Sequence, residues 1–300
     1  MKKVLKWIGM IVGGLLGLSV VAVVILLAIT SYRLNRRYSP PPEAVNVPND
    51  QASISRGKYL VENLSTCTGC HGPNLAGTFF FNDPAIGQIY SANLTPGDGG
   101  AGSEFTDADW VNAIRHGVGP DGKALMVMPA QNFNLYSDED LGAIIAYLKT
   151  ISPVDQVSPE PSLTLMARVL FALGSFGKLP AERIDHNAAR PEAPAPGVSL
   201  AYGEYLVANG TCRDCHGTEL NGGIAGPGEP YAPNLTPGGR LGSWDEAGFV
   251  TALRTGVAPD GKHLAEAMPW KYYSHLTDDD LKAIWMYLHS LNALEAAPVN

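Results

Sequence analysis

Three hundred residues, 45% hydrophobic and 17% charged, suffice for two compact domains and do not read as a disordered chain. Every base before residue 38 precedes the first acid, Glu43, so residues 38–300 carry 15 Lys and Arg against 29 Asp and Glu, a formal charge of −14. A body that acidic repels phosphate backbones, which argues against nucleic acid as a partner and suits a protein with a basic docking face.

From Ile8 to Thr30 the chain runs 23 residues without a charge. At ~1.5 Å per residue this is roughly 35 Å of helix, against a hydrocarbon layer of about 30 Å. The run exceeds the apolar core of a cleaved signal peptide, and AITSYR supplies no small-x-small cleavage site. Residues 1–37 therefore read as an uncleaved signal anchor with a transmembrane helix over 8–30. Three bases flank each end, so charge alone leaves the orientation open. Residues 38–52 are proline-rich and predict an extended, semi-rigid stalk.

Beyond the stalk the sequence is written twice. GKYLVENLSTCTGCHGPNLAG (57–77) aligns with GEYLVANGTCRDCHGTELNGG (203–223), with one residue of slippage before the first cysteine. NLTPG occurs at 93 and 234, RHGVGPDGKALMVMP (115–129) matches RTGVAPDGKHLAEAMP (254–269), and SDEDLGAIIAYLKTI (137–151) matches TDDDLKAIWMYLHSL (277–291). Four blocks in one order are a duplicated domain, predicted over 53–152 and 199–293, with a linker over 153–198 and a tail over 294–300.

Each copy reads as all-α. An opening helix carries SRGKYLVEN or AYGEYLVAN. A second presents Trp110, Ala113 and Ile114, or Phe249, Ala252 and Leu253, and stops at Gly117 or Gly256. A closing helix starts at Ser137 or Thr277, with Asp140 or Asp280 completing a capping-box pattern. It buries Leu141, Ile144, Ile145, Leu148 and Ile151, or Leu281, Ile284, Trp285, Leu288 and Leu291. The remainder is Gly- and Pro-rich loop, without a convincing alternating strand. The GPDGK-type segments are turns.

All four cysteines lie in CTGCH (67–71) and CRDCH (212–216). Cys-x-x-Cys-His is the attachment signature of c-type haem. Two thiols on one turn reach the two vinyl groups of a porphyrin, and the adjacent histidine faces the iron. Cys67 and Cys70, and Cys212 and Cys215, are the predicted thioether residues, with His71 and His216 as proximal ligands. A zinc site would need four converging ligands where each motif offers three. A thioredoxin-type dithiol would need a strand–helix setting, and disulfides leave both histidines unexplained. Met128-Pro129 and Met268-Pro269 stand at one place in the repeat, 57 and 52 residues beyond His71 and His216. These methionines are the predicted sixth ligands, Met126 competing with Met128, and a Met/His pair raises the reduction potential.

With these residues each half resembles a class I cytochrome c domain: opening helix, haem motif, Met-Pro loop, closing helix. The resemblance implies two covalently bound haem c groups. It implies crossed first and last helices, with Gly57 and Gly203 as close-approach points against Tyr147 and Tyr287. The NLTPG, PDGK and Met-Pro segments are also similar to those of multihaem cytochrome subunits serving periplasmic, membrane-associated alcohol and aldehyde dehydrogenases. Those commonly carry three haem domains, and this chain has two.

Arg115 and Arg254 recur either as propionate partners or as cations in a last helical turn. Asn93 and Asn234 read as turn residues, and His116, His263, His275 and His289 as surface residues. In the linker, SLTLMARVLFALGSFGKL is too short to cross a membrane; it reads as a helix packed across both domains, or as one that docks or skims the membrane.

The function this predicts is electron transfer, not catalysis: single electrons pass through two haems between a dehydrogenase and a respiratory acceptor such as an oxidase. Covalent haem assembly in the family implies haem domains in the periplasm, anchored in the bacterial inner membrane. The alternatives are a cytochrome subunit of a haem–copper oxidase and, in another class, a two-haem peroxidase, which paired Met-Pro sites disfavour.

Overall fold

A computed structural model describes residues 2–224 and 231–298. The predicted tail, 294–300, thus ends partly outside the described residues, as does the loop 225–230. The chain opens with α1 (Lys2–Asn35), followed by α2 (Gln51–Tyr59), α3 (Cys67–His71), β1 (Phe79–Asp83), β2 (Gly87–Tyr90), α4 (Ala101–Glu104), α5 (Asp107–His116), α6 (Ala130–Phe133) and α7 (Asp138–Leu148). The linker contributes β3 (Ser162–Leu163) and α8 (Leu165–Ala172). The second copy holds α9 (Leu200–Asn209), α10 (Cys212–His216), β4 (Gly223–Ile224), β5 (Tyr231–Ala232), α11 (Glu246–Thr255), α12 (Trp270–Tyr273) and α13 (Asp278–Ser290).

Helices dominate, but the strands depart from the all-loop expectation. β1, β2 and β3 form an antiparallel sheet with an irregularity between Phe79 and Phe81. Its strands are two to five residues long, too short to show a period of two, and the third comes from the linker.

Opening and closing helices pack against each other in both copies, α2 on α7 and α9 on α13. A Cβ on Gly57 would lie 1.9 Å from the carbonyl oxygen of Ala143, and one on Gly203 2.0 Å from that of Ala283. Only glycine allows this approach. Tyr287 lines the contact at Gly203 as expected. At Gly57 the nearest atoms are the Ala143 and Ile144 backbone, and Tyr147 donates to Glu62 at 2.8 Å. The one-residue slippage has a structural solution: Leu60–Leu64 is a π-turn closed by Ser65 N–H to Leu60 O, whereas the shorter copy closes Gly210 N–H on Leu206 O. The wider i→i+5 turn absorbs the extra residue before the haem motif.

The two copies are joined by reciprocal hydrogen bonds at their closing-helix N-termini. Ser137 and Thr277 cap α7 and α13 by accepting from Asp140 N–H (3.2 Å) and Asp280 N–H (3.1 Å). The expected return bond from the aspartate to the cap N–H is absent. Instead the Ser137 N–H donates to Tyr205 of the other copy (3.2 Å), and the Thr277 N–H to Tyr59 (2.8 Å). Each tyrosine then donates to the freed aspartate, Tyr205 to Asp140 at 2.8 Å and Tyr59 to Asp280. Arg56 adds a bidentate pair to Asp140. The capping box is thereby split across the domain boundary.

NLTPG is the other repeated fastening. Asn93 Nδ2 donates to Val154 O (2.7 Å) and Asn234 Nδ2 to Leu294 O (2.8 Å). Thr95 and Thr236 accept from the N–H groups of Val154 and Leu294. Each asparagine side chain also bonds its own turn, to Thr95 N–H or Thr236 N–H, as turn chemistry predicts. Residues beyond each closing helix are held across the loop that carries the hydrogen-bond partner of the Cys-x-x-Cys-His histidine.

Candidate functional site

Both Cys-x-x-Cys-His motifs are single helical turns entered through a left-handed threonine and left through a glycine at positive φ. Thr66 (φ 50°) and Thr211 (φ 56°) precede them, and Gly72 (φ 80°) and Gly217 (φ 81°) follow. Two thiols and an imidazole are thus presented from one short turn. His71 Nδ1 donates to Ala92 O and His216 Nδ1 to Pro233 O, each at 2.7 Å. A carbonyl can only accept, so Nδ1 carries the proton and Nε2 holds the free lone pair, with no protein partner among the described residues. This orients the ring and raises its basicity as a ligand. Burial also holds both histidines below the usual imidazole range, so they stand neutral.

Burial pushes the thiols of Cys67 and Cys212 up to about 12. Such surroundings oppose a thiolate and fit a neutral thioether. Cys67, Cys212, Met128 and Met268 pack against the buried core, and Met128 and Met268 each stand just before the Pro-led helices α6 and α12. Paired thiols, a pre-oriented imidazole and a methionine in each copy fit a covalently held haem. Met126 is partly buried like Met128, but its region of the second copy carries Glu266, 90% exposed.

The haem motifs also meet the opposite copy. Gly69 of CTGCH lies against Tyr272 of α12, where an added Cβ would sit 3.2 Å from the phenol oxygen. Its counterpart in CRDCH, Asp214, accepts from Asn132 Nδ2 of α6 at 2.6 Å, and Asn132 aligns with Tyr272. Each motif therefore touches the helix behind the other copy's Met-Pro segment. The sequence reading missed Tyr59, Tyr205 and this contact. The two tyrosines stand in the aligned GKYL and GEYL blocks, a signal that was available.

Arg115 and Arg254 are engaged by protein carboxylates rather than free: Arg115 by Asp138 (2.8 Å) and Glu43 (2.5 Å), Arg254 by Asp278 (2.6 Å). His263, His275 and His289 are exposed as expected. His116 is not. It is fully buried, with Nδ1 2.9 Å from His186 Nδ1 and Nε2 3.1 Å from Glu43 of the stalk, which Arg190 also grips. Its burial follows from stalk and linker both folding onto α5, a packing that a single helix pattern does not encode.

Burial would raise the Glu43 carboxyl, but bonds from Arg190 and Arg115 outweigh it and hold the pKa low. Burial pushes His116 down to about 4, only partly offset by Glu43. A histidine whose folded pKa lies below its unfolded value of about 6.5 stabilises the fold fully above pH ~6.5, and that contribution fades as pH falls toward 4. Stability is expected to drop by about 3 kcal/mol across this window, the product of the shift and ~1.4 kcal/mol per unit. Chemical denaturation of wild type and His116→Gln at pH 7.5 and 4.5 checks it: the drop should be clearly smaller in the variant.

The family described as cytochrome c oxidase, cbb3-type, subunit III, matches residues 52–148 and 199–288. The chain is 30% identical over 272 residues to the alcohol dehydrogenase (quinone) cytochrome c subunit of Gluconacetobacter polyoxogenes, covering 81% of this chain and 56% of that one. It is 31% identical over 299 residues to the fructose dehydrogenase cytochrome subunit of Gluconobacter japonicus (90% and 58%). It is 27% identical over 231 residues to a diheme cytochrome c-type protein of Cereibacter sphaeroides (70% and 74%). The chain spans somewhat over half the length of the two dehydrogenase cytochromes.

Proposed function

The chain belongs to the family of cbb3-type cytochrome c oxidase subunit III, a family of covalently bound haem c, and from that premise we propose that it is a membrane-anchored two-haem electron carrier. It would take single electrons from a dehydrogenase and pass them to a respiratory acceptor. Haem supplies the one-electron chemistry; the protein binds, orients and insulates it. The observation that carries the reading is the repetition of the whole site: in both copies a motif histidine with its Nδ1 proton committed to a carbonyl, and a methionine ahead of a Pro-led helix.

In this reading each copy is one cytochrome c domain, Cys67, Cys70, Cys212 and Cys215 hold the haems, and His71 with Met128 and His216 with Met268 ligate the irons. A histidine and a methionine at each haem would suit it to one-electron transfer rather than to substrate chemistry. Each motif touches the helix behind the other copy's Met-Pro segment, a contact that would favour an internal electron step. α1, long and apolar enough to span a membrane, anchors the protein in the inner membrane with its domains in the periplasm. The acidic body would steer a basic partner, more weakly as salt rises.

The names of the alcohol and fructose dehydrogenase relatives support a dehydrogenase as donor; the matched family's description favours, as a second reading, delivery to a haem–copper oxidase. Affinity purification of the full chain from native membranes in mild detergent separates them. A co-purifying dehydrogenase whose substrate reduces the haems supports the first. Recovery of an oxidase alone, with oxygen uptake through this chain, would replace it with the second.

A further inference from the structure

The residues of α1 that are not exposed form one stripe, Val23, Leu26, Leu27, Thr30, Arg33 and Leu34, at helical period over its last turns. The linker helix α8 packs against α1. Thr30 donates to Arg168 O at 2.5 Å, and the Arg33 guanidinium lies 4.4 Å over the Phe171 ring. If α1 spans the bilayer from Trp7, about 20 residues exhaust the hydrocarbon at about residue 26. The stripe from Val23 to Arg33, roughly 15 Å long, then straddles the outer boundary between acyl chains and headgroups.

Whatever packs on that stripe lies at the same depth. α8 turns Ala167 and Phe171 inward, while Leu165, Met166, Leu173 and Phe176 are exposed by 61, 50, 63 and 48%. Lipid at this level requires satisfied backbone groups. Here Arg33 donates to the carbonyls of Phe171 (3.3 Å) and Gly177 (3.1 Å) and is itself paired with Glu182 at 2.7 Å. Arg168 within α8 and Lys178 at the end of the segment are both exposed, and long basic side chains can reach headgroups. Eight helical residues cannot cross a bilayer, but they can lie in its interface.

We propose that residues 165–178 are a second membrane contact, an interfacial element whose outer apolar face is buried in lipid beside α1 and fixes the height of the haem domains above the bilayer. The inference rests on the anchor reading of α1. It is tested with nitroxide labels on the full chain in phosphatidylcholine–phosphatidylglycerol nanodiscs, the four native cysteines being consumed by haem. Met166→Cys and Leu173→Cys report on the element, Val20→Cys on the anchor and Val157→Cys, at a position 77% exposed, on water. At Met166→Cys and Leu173→Cys, collision with oxygen should exceed collision with Ni(II)EDDA, as at Val20→Cys and opposite to Val157→Cys. A lipid signal at Val20→Cys with a water signal at the two linker positions would overturn this inference alone. Shielding from both reagents there would also overturn it, by showing protein cover. A water signal at Val20→Cys would overturn the anchor as well.

Discussion

Met268→Ala is expected to lower the reduction potential of the second haem by a few tenths of a volt, part of the roughly 0.8 V that axial ligation spans. A thioether ligand would favour the reduced iron, and alanine would withdraw it. Met128→Ala should do the same to the first haem alone, because the two methionines belong to separate copies. Met126→Ala should shift neither, since it is not repeated. Spectroelectrochemical titration of the three variants reads all of this at once. An unchanged titration for Met128→Ala with a shift for Met126→Ala would reassign that ligand. New peroxide reactivity in either Met-Pro variant would show that the methionines guard a position the iron could otherwise use.

Tyr59→Phe is expected to cost about 3 kcal/mol and Tyr205→Phe about 1 kcal/mol less, although the two tyrosines are equivalent in the repeat. Each loss removes a hydroxyl that accepts from a cap N–H and donates to a buried aspartate. Asp140, 6% exposed, keeps its bidentate Arg56. Asp280, 5% exposed, has Tyr59 as its one side-chain donor among the described residues, so its carboxylate would be left buried and unpaired. The double variant should uncouple the copies, splitting one thermal transition into two and slowing electron exchange between the haems after rapid photoreduction. Equal costs for the two single variants would contradict this account of the interface. So would a double variant that still melts in one step.

Much of this was legible in the residues. The repeated helices, the helix caps and the Gly117 and Gly256 stops all depend on local chemistry, which a sequence carries openly. Close approach at Gly57 and Gly203 was also readable, and at Gly57 the nearest atoms are the Ala143 backbone. Contacts between distant segments were not readable. Asp140 and Asp280 look like capping-box residues until the other copy's tyrosine takes the cap N–H. His116 looks like a surface residue ending a helix until Glu43 and His186 arrive from either side. The π-turn at Leu60–Leu64 showed itself only as an alignment slip. In each case the deciding partner lies far along the chain and imposes no periodicity.

Intact-mass spectrometry of the full-length chain, purified from a host that assembles haem c, tests the central claim most directly. The account predicts the polypeptide plus two haems, falling to one in Cys67→Ala/Cys70→Ala and likewise in Cys212→Ala/Cys215→Ala. A wild-type chain carrying one haem or none, or a double variant that keeps two, would contradict it.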